Sequence, residues 1–252
     1  MHHQWEGDYR TADNEEFYER AFDYIVDVLK PPANATFLDA GCGPCAHSVR
    51  LARRGFKVQA IDFSPSALLL AKEYVESRGL EDRITLQRES LLDLTFPSSS
   101  FDYVLSWGVL MHIPEVDRAV AELSRVVKPG GVVVISESNK SSLEAVTMRN
   151  LRRVLGKEKA TVQELPEGVE YWKDKDRDAL VTRQANISWL IDRFRDGGLV
   201  LDKRVAGQFS ESYTRVPQAM KKLVHRFNRV WFERVKWPGP AFGNILIFRK
   251  PE

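Results

Sequence analysis

Cysteine is almost missing from this 252-residue chain: there are two, Cys42 and Cys45, three positions apart. Two thiols in one short stretch exclude a disulfide framework and point to a reducing compartment, so the expected location is cytoplasmic. Long apolar runs are lacking too. No stretch reaches the roughly 18 uninterrupted apolar residues that read as a membrane span, and the polar start Met1-His2-His3-Gln4 has none of the apolar core of a secretory signal. No membrane partner is expected. The excess of either charge is small, a net +2, which removes any global affinity for nucleic acid. Internal repeats and low-complexity tracts are absent, and no metal site is expected.

What is present suits one large α/β unit, because 43% of the residues are hydrophobic and ample for a core. The chain is organised around Phe37-Leu38-Asp39-Ala40-Gly41-Cys42-Gly43-Pro44-Cys45-Ala46. Phe37 to Ala40 reads as the end of a buried strand, the glycines as a tight turn, and Ala46 to Arg54 as a helix in which Val49 and Leu51-Ala52 recur at helical spacing. A glycine has no Cβ, so backbone at such a junction can approach a ligand closely.

Three ligand chemistries compete for this turn. Gly41-Cys42-Gly43-Pro44-Cys45-Ala46 fits the loose dinucleotide pattern, with Asp62 near the distance of a ribose-binding acid, which would make the chain an NAD-dependent oxidoreductase. Against this, Asp39 sets a carboxylate beside the place of a pyrophosphate, and Pro44 removes an N–H that would hold it. Cys42-Gly43-Pro44-Cys45 is also a dithiol tetrapeptide, but no aromatic residue precedes it and the chain is the wrong size for a thioredoxin-like fold. The third reading welcomes a cation bearing a sugar.

That reading covers more of the chain. Asp39-Ala-Gly41-Cys-Gly43, Ala60-Ile-Asp62-Phe63-Ser64-Pro65, Phe101-Asp102-Tyr-Val-Leu-Ser106-Trp107 and Lys128-Pro129-Gly130-Gly131 stand in order and at the spacing of one family. Together they resemble the Rossmann-like (class I) S-adenosylmethionine-dependent methyltransferases over about Phe37 to Ser136. The resemblance implies a doubly wound, mostly parallel seven-stranded sheet with helices on both faces, its last strand antiparallel, plus helical insertions. It also implies S-adenosylmethionine as cofactor and S-adenosylhomocysteine as product.

By the same resemblance, Asp39 lies near the methionine ammonium above the Gly41, Cys42 and Gly43 backbone. Asp62 takes the ribose hydroxyls with Phe63 beside it, although plain helix capping is its other reading. Glu89, Ser90 and Leu91 follow the third strand where the adenine is met, with the acid slightly out of the common spacing. Ser106 and Trp107 end the central strand beside the cofactor. Residues 1–30 form an N-terminal lid region that Tyr9 closes, unless Tyr9 is an ordinary packing aromatic.

In chain order, Glu15 to Leu29 reads as a helix ended by Pro31-Pro32, and Phe56 to Ile61 as a second strand ending at Asp62. Ser64-Pro65 opens the next helix as N-cap and first helical residue. Arg83 to Arg88 and Phe101 to Ser106 are strands, Pro114 opens a helix, and Lys128 to Gly131 turns the chain into a strand over Val132 to Ser136. Strand and helix alternate, as a doubly wound sheet requires.

From Glu137 to Arg183 no strand is evident. Ser141 to Leu155 reads as a helix and Glu158 to Asp178 as a charged insertion with Pro166 and Gly168. A helix over Ile187 to Phe194, a strand over Leu199 to Phe209, an amphipathic helix over Val216 to Trp231 and a strand over Gly243 to Arg249 complete the chain. The single domain thus spans 1–252, with acceptor-side insertions at 137–185 and 211–241.

His112, just past the central strand, is the candidate catalytic base or a pocket wall, since histidine titrates in the useful range. His47 and His225 are expected on helix surfaces. Arg215 to Lys236 holds seven Lys/Arg against Glu233 alone. This face is either solvated or receives an anionic acceptor. No Asn-Pro-Pro-Tyr motif follows the central strand, so nucleic acid is not the expected partner. The sequence therefore predicts methyl transfer to a small molecule, preferably an oxygen of a sugar or natural-product scaffold and otherwise a nitrogen, by a monomer or homodimer.

Overall fold

The computed structural model describes residues 11–156, 162–172 and 181–252. Helix α1 (Ala12–Leu29) begins three residues before the sequence pattern predicts, because the Thr11 side chain accepts from Asn14 N and caps it. It ends where Lys30 turns left-handed, just before the two prolines, and buries Phe17, Ala21, Phe22, Ile25 and Leu29.

Strands β1 (Thr36–Ala40), β2 (Lys57–Asp62), β3 (Ile84–Arg88), β4 (Phe101–Trp107) and β5 (Val127–Ser138) alternate with helices α2 (Ala46–Arg53), α3 (Pro65–Glu76) and α4 (Val116–Val126). Ser64 caps α3 and Pro65 stands in its first turn, as the sequence predicts. After β5 come α5 (Leu143–Val154), β6 (Val162–Leu165), β7 (Gly168–Trp172), β8 (Val181–Ala185), α6 (Ile187–Asp196), β9 (Val200–Ala206), α7 (Gln218–Val230) and β10 (Gly243–Arg249).

The main sheet has seven strands in the order β3-β2-β1-β4-β5-β10-β9. β10 runs antiparallel to both β5 and β9, and β1 to β5 pair in parallel, so the expected doubly wound sheet with an antiparallel last strand is present. Alternation along each strand feeds two cores. Phe37, Val134, Ile245 and Ile247 pack with α1 and α2 on one face, whereas Leu38, Val133, Ile135, Leu246 and Phe248 pack with α4 and α6 on the other. Each fully buried Val, Leu or Ile contributes about 1.5–3 kcal/mol, so the central strands anchor everything at their ends.

Two expectations need correction. The insertion after β5 is not helical throughout, because β6, β7 and β8 form a separate three-stranded antiparallel sheet. Pro166 and Glu167 make its first hairpin turn between the paired Leu165 and Gly168, so the residues that read as a loop are the link between strands. Lys128 to Gly131 is taken into β5 as an irregularity, with Phe101 opposite Val127 and Tyr103 opposite Val132. Asp102, from the third sequence motif, is a sheet residue: it accepts from Thr36 N (3.1 Å), Thr36 Oγ1 (2.6 Å) and Lys128 Nζ (2.7 Å) at the amino ends of the strands.

Candidate active site

The strand order reverses beside β1, where β2 lies to one side and β4 to the other, and the carboxyl ends there open a crevice. Asp39, the glycine turn, Asp62, Ser106 and Trp107 all stand at those ends, with Asp39 opposite Ala60 on β2 and Leu105 on β4. Gly41 has φ +85°, and a Cβ there would lie 2.5 Å from Val109 Cγ1, so only glycine lets the turn meet the loop after β4.

The N–H groups of the turn are already spent. Gly41 N and Cys42 N both donate to Ile61 O (2.9 and 2.8 Å), Cys45 N donates to Cys42 O (2.9 Å), and Gly43 N donates to Asp62 Oδ2 (2.9 Å). Pro44 has none to give. Asp62 Oδ1 accepts from Ser64 N at 2.9 Å, so this carboxylate caps α3 and pins the turn at once. A diphosphate bound at a dinucleotide turn needs free N–H donors, and these four are taken.

Asp39 is 2% exposed and accepts from Ser48 Oγ at 2.5 Å. Burial pushes its carboxyl up to about 6, and the like charge of Asp62 adds to that rise. The turn's chemistry is therefore that of two neighbouring carboxyls. Both thiols are free and buried. The Cys42 thiol is pushed up by its hydrogen bond with Cys45 and by burial, the opposite of the depression a dithiol redox centre uses.

Beyond the turn, Phe63 stands 66% exposed at the end of β2. Glu89 closes its own loop, accepting from Thr95 Oγ1 (2.6 Å), Thr95 N (3.1 Å) and Gln87 Nε2 (2.6 Å). Ser90 Oγ accepts from Leu92 N, and Leu91 is buried. Tyr9 lies outside the described residues. Ser106 Oγ is buried without a hydrogen-bond partner, an orphaned polar atom at the crevice, and the Cβ side of Gly43 faces open space. Both features fit a ligand laid over the turn.

Trp107 packs against an aromatic group from α1 and α2. Its ring centroid is 5.1 Å from His47, 5.5 Å from Phe22 and 6.0 Å from Tyr18. His47, expected on a surface, instead stacks on Phe22 at 5.1 Å. His225 likewise lies 4.5 Å from the buried Tyr213 ring. Arg50 joins the two helices: its guanidinium lies over the Tyr18 ring at 5.1 Å and pairs with Glu15 and Glu19 of α1.

His112 ends a 3-10 turn over Leu110–His112. Its Nδ1 is 2.8 Å from Val181 O on β8, and a carbonyl can only accept, so Nδ1 carries the proton and Nε2 keeps its lone pair. Burial lowers the imidazole's affinity for a second proton, which keeps the ring neutral. The loop around it is held from two sides. Glu137 Oε1 accepts from Leu110 N at 2.9 Å, and burial pushes its carboxyl up to about 8. Arg183, 2% exposed in its side chain, donates to Ile113 O (2.8 Å) and Leu110 O (3.2 Å) and pairs with the buried Glu170.

Arg183, Glu170 and Glu137 fall in the 137–185 segment expected on the acceptor side, but sequence reasoning singled out none of them. The readable signal was the alternation in Val181-Thr-Arg183-Gln-Ala185, where the first, third and fifth residues are buried. Among the described residues no helix is long and apolar enough to cross a membrane, and no group of three His, Cys, Asp or Glu side chains converges as metal ligands.

Comparison with known proteins agrees with this geometry. A family model described as a methyltransferase domain matches residues 38–135. The ubiquinone biosynthesis O-methyltransferase of Alkalilimnicola ehrlichii is 33% identical over 178 residues, covering 69% of this chain and 68% of that protein. Methyltransferase GfsG of Streptomyces halstedii is 32% identical over 120 residues, 47% of this chain, and the chain spans only 43% of its length. An S-adenosylmethionine-dependent methyltransferase from Clostridium acetobutylicum superposes with TM-score 0.63 at 15% identity over 99% of this chain and 97% of that one, a likeness of fold. The match to the relative from Alkalilimnicola extends well past the sheet motifs, and the dinucleotide and dithiol readings of the turn fall away: the chain belongs to the class I S-adenosylmethionine-dependent methyltransferases.

Proposed function

We propose that this protein transfers a methyl group to an oxygen of a small molecule, a sugar or natural-product scaffold, with His112 receiving the acceptor's proton. The observation that carries the reading is the hydrogen bond from His112 Nδ1 to Val181 O, which leaves Nε2 free as a base. S-adenosylmethionine, when bound, supplies a methyl group on a sulfonium, already attached to a good leaving group. The chain's own residues then have to bind, align and exclude water.

Asp39 faces the cofactor's ammonium as a buried carboxyl, and the backbone of Gly41, Cys42 and Gly43 passes beneath it. Asp62 has both oxygens on backbone N–H groups, yet a carboxylate has lone pairs to spare for ribose hydroxyls. Phe63 walls the base on one side, with Glu89, Ser90 and Leu91 on the other. Ser106 and Trp107 close the end of β4. Residues 1–30 act as the lid, and 137–185 and 211–241 shape the acceptor side; for 137–185 the contacts of Val181 and Arg183 with the loop at 110–114 support this.

Oxygen is preferred to nitrogen because a neutral base of this kind suits a hydroxyl, and one relative is named for O-methylation. Of the residues first offered to an anionic acceptor, Lys221, Lys222, Arg226 and Arg229, the last three line a groove between α1 and α7 that includes no residue of the glycine turn or of the loop at 107–113. We therefore take the acceptor's reacting end to be neutral. The two free buried thiols support a cytoplasmic setting.

Calorimetry with S-adenosylhomocysteine and, separately, NAD tests the cofactor, with binding of the first alone expected. A screen of hydroxylated and amine acceptors read by homocysteine release then tests the acceptor atom; turnover confined to amines would overturn the oxygen assignment.

A further inference from the structure

α7 sits on the protein by very little. Of its thirteen residues only Asn228 is fully buried, and that side chain is engaged with both Ser210 N (3.0 Å) and Ser210 O (2.8 Å). Of its apolar residues, Phe227 meets the Phe209 ring edge-on at 5.1 Å, yet the row it belongs to stays largely open. Met220, Leu223, Phe227 and Val230 recur at spacings of three and four and are 50%, 65%, 46% and 42% exposed. They form one outward stripe. Past the helix, Trp237 is 63% exposed and its carbonyl accepts from Trp231 Nε1 at 2.9 Å, which carries the apolar surface beyond α7.

Beside this stripe runs a basic one. Lys222 and Arg226 are four residues apart on the exposed rim of the α1–α7 groove, which Asp13 and Glu16 of α1 also line; they make no ion pair among the described residues, while Arg229 in the same row reaches Glu16 at 3.1 Å. The whole stretch from Arg215 to Lys236 holds Glu233 as its single acid. A surface helix whose open side is half cationic and half apolar matches the boundary of a bilayer with acidic lipids. Headgroup phosphates meet the cations and the acyl region meets the apolar side chains.

We propose that the outward face of α7 docks the protein onto an anionic phospholipid surface, with the helix lying in the plane of the headgroups. Charge complementarity selects this occupant. A second copy using the same face would bring the two rows of Lys222, Arg226 and Arg229 together and repel. The inference is independent of the methyl-transfer reading.

The test is flotation of the full chain with vesicles of phosphatidylglycerol and phosphatidylcholine, against vesicles of phosphatidylcholine alone. Binding is expected with the acidic vesicles only, weakening by about tenfold or more as salt is raised through the screening range, with a blue shift of tryptophan emission from Trp237. Lys222→Glu/Arg226→Glu should lose at least about tenfold in binding at low salt. Met220→Ser/Leu223→Ser should lose the salt-resistant part and the blue shift, and circular dichroism should show both variants folded as the parent. Absence of flotation, flotation unchanged in both variants, displacement by millimolar inorganic phosphate, or a light-scattering dimer that the same substitutions dissolve would each overturn the proposal.

Discussion

His112 on the loop after β4 is tied to Val181 on β8, 69 residues further along, by a 2.8 Å hydrogen bond from Nδ1. In the proposed mechanism that bond ties the small antiparallel sheet to the reaction, because it fixes which ring nitrogen can take a proton. His112→Ala is expected to lower kcat by about 100-fold or more, while S-adenosylhomocysteine affinity measured by calorimetry changes little. Equal losses in both would make the histidine a pocket wall. Because burial lowers the imidazole's proton affinity, the acid limb of the kcat profile should lie below the ordinary histidine range, and turnover should fall as the ring protonates.

Glu137 supplies a pH signature of stability. Its carboxyl titrates near about 8 in the fold, against roughly 4.3 in the unfolded chain. The folded state holds the extra proton between those values, so this group's contribution is full below about pH 4 and is lost as pH rises through about 8. Glu137→Gln keeps an oxygen for Leu110 N and cannot ionise. Thermal unfolding from about pH 5 to about pH 8 should show the parent losing several degrees more than the variant.

The pair Glu170 and Arg183 stand directly opposite each other on β7 and β8, both buried. Removing one partner strands the other charge in the interior. Arg183→Met should cost about 3–5 kcal/mol in urea unfolding, whereas the double replacement Arg183→Met/Glu170→Leu should cost much less. Arg183→Met should also lower turnover, since Leu110 and Ile113 lose the donor that holds their loop.

Gly41→Ala is expected to weaken S-adenosylhomocysteine binding at least tenfold by calorimetry, at a stability cost of about 1–3 kcal/mol. The new Cβ meets Val109 in a left-handed backbone. Val109→Ala in the same chain removes the contact and not the φ strain, so it should restore only part of both losses.

The sheet was legible in the sequence because its strands are apolar on both sides and bounded by turn residues, as in Phe37-Leu38-Asp39-Ala40-Gly41 and Gly131-Val-Val-Val-Ile135. The same reasoning failed at β6, β7 and β8. There the buried positions of Gly168-Val-Glu170-Tyr-Trp172 and Val181-Thr-Arg183-Gln-Ala185 include a charged residue each, and the charges cancel only once the strands are paired. Scored singly, Glu170 and Arg183 read as solvent-facing and mask the alternation that sets Arg183 on one face with Val181 and Ala185. Asp39 and Asp62 were readable from their places at strand ends, but the clamp of Glu137 and Arg183 on the 110–114 loop was not, since it joins residues distant in sequence. The histidines show the same effect: His47 on an amphipathic helix reads as exposed until α1 covers it.

β10 lies between β5 and β9 in the sheet, although it follows every other strand in the chain. While the polypeptide is being made, β5 therefore waits at the ribosome with one backbone edge bare, and β9 has no neighbour to join until Gly243–Arg249 has left the exit tunnel. Co-translational folding can complete the five parallel strands early, but the nascent molecule carries an unsealed edge through the rest of its synthesis and is open during that interval to pairing with a strand of another chain.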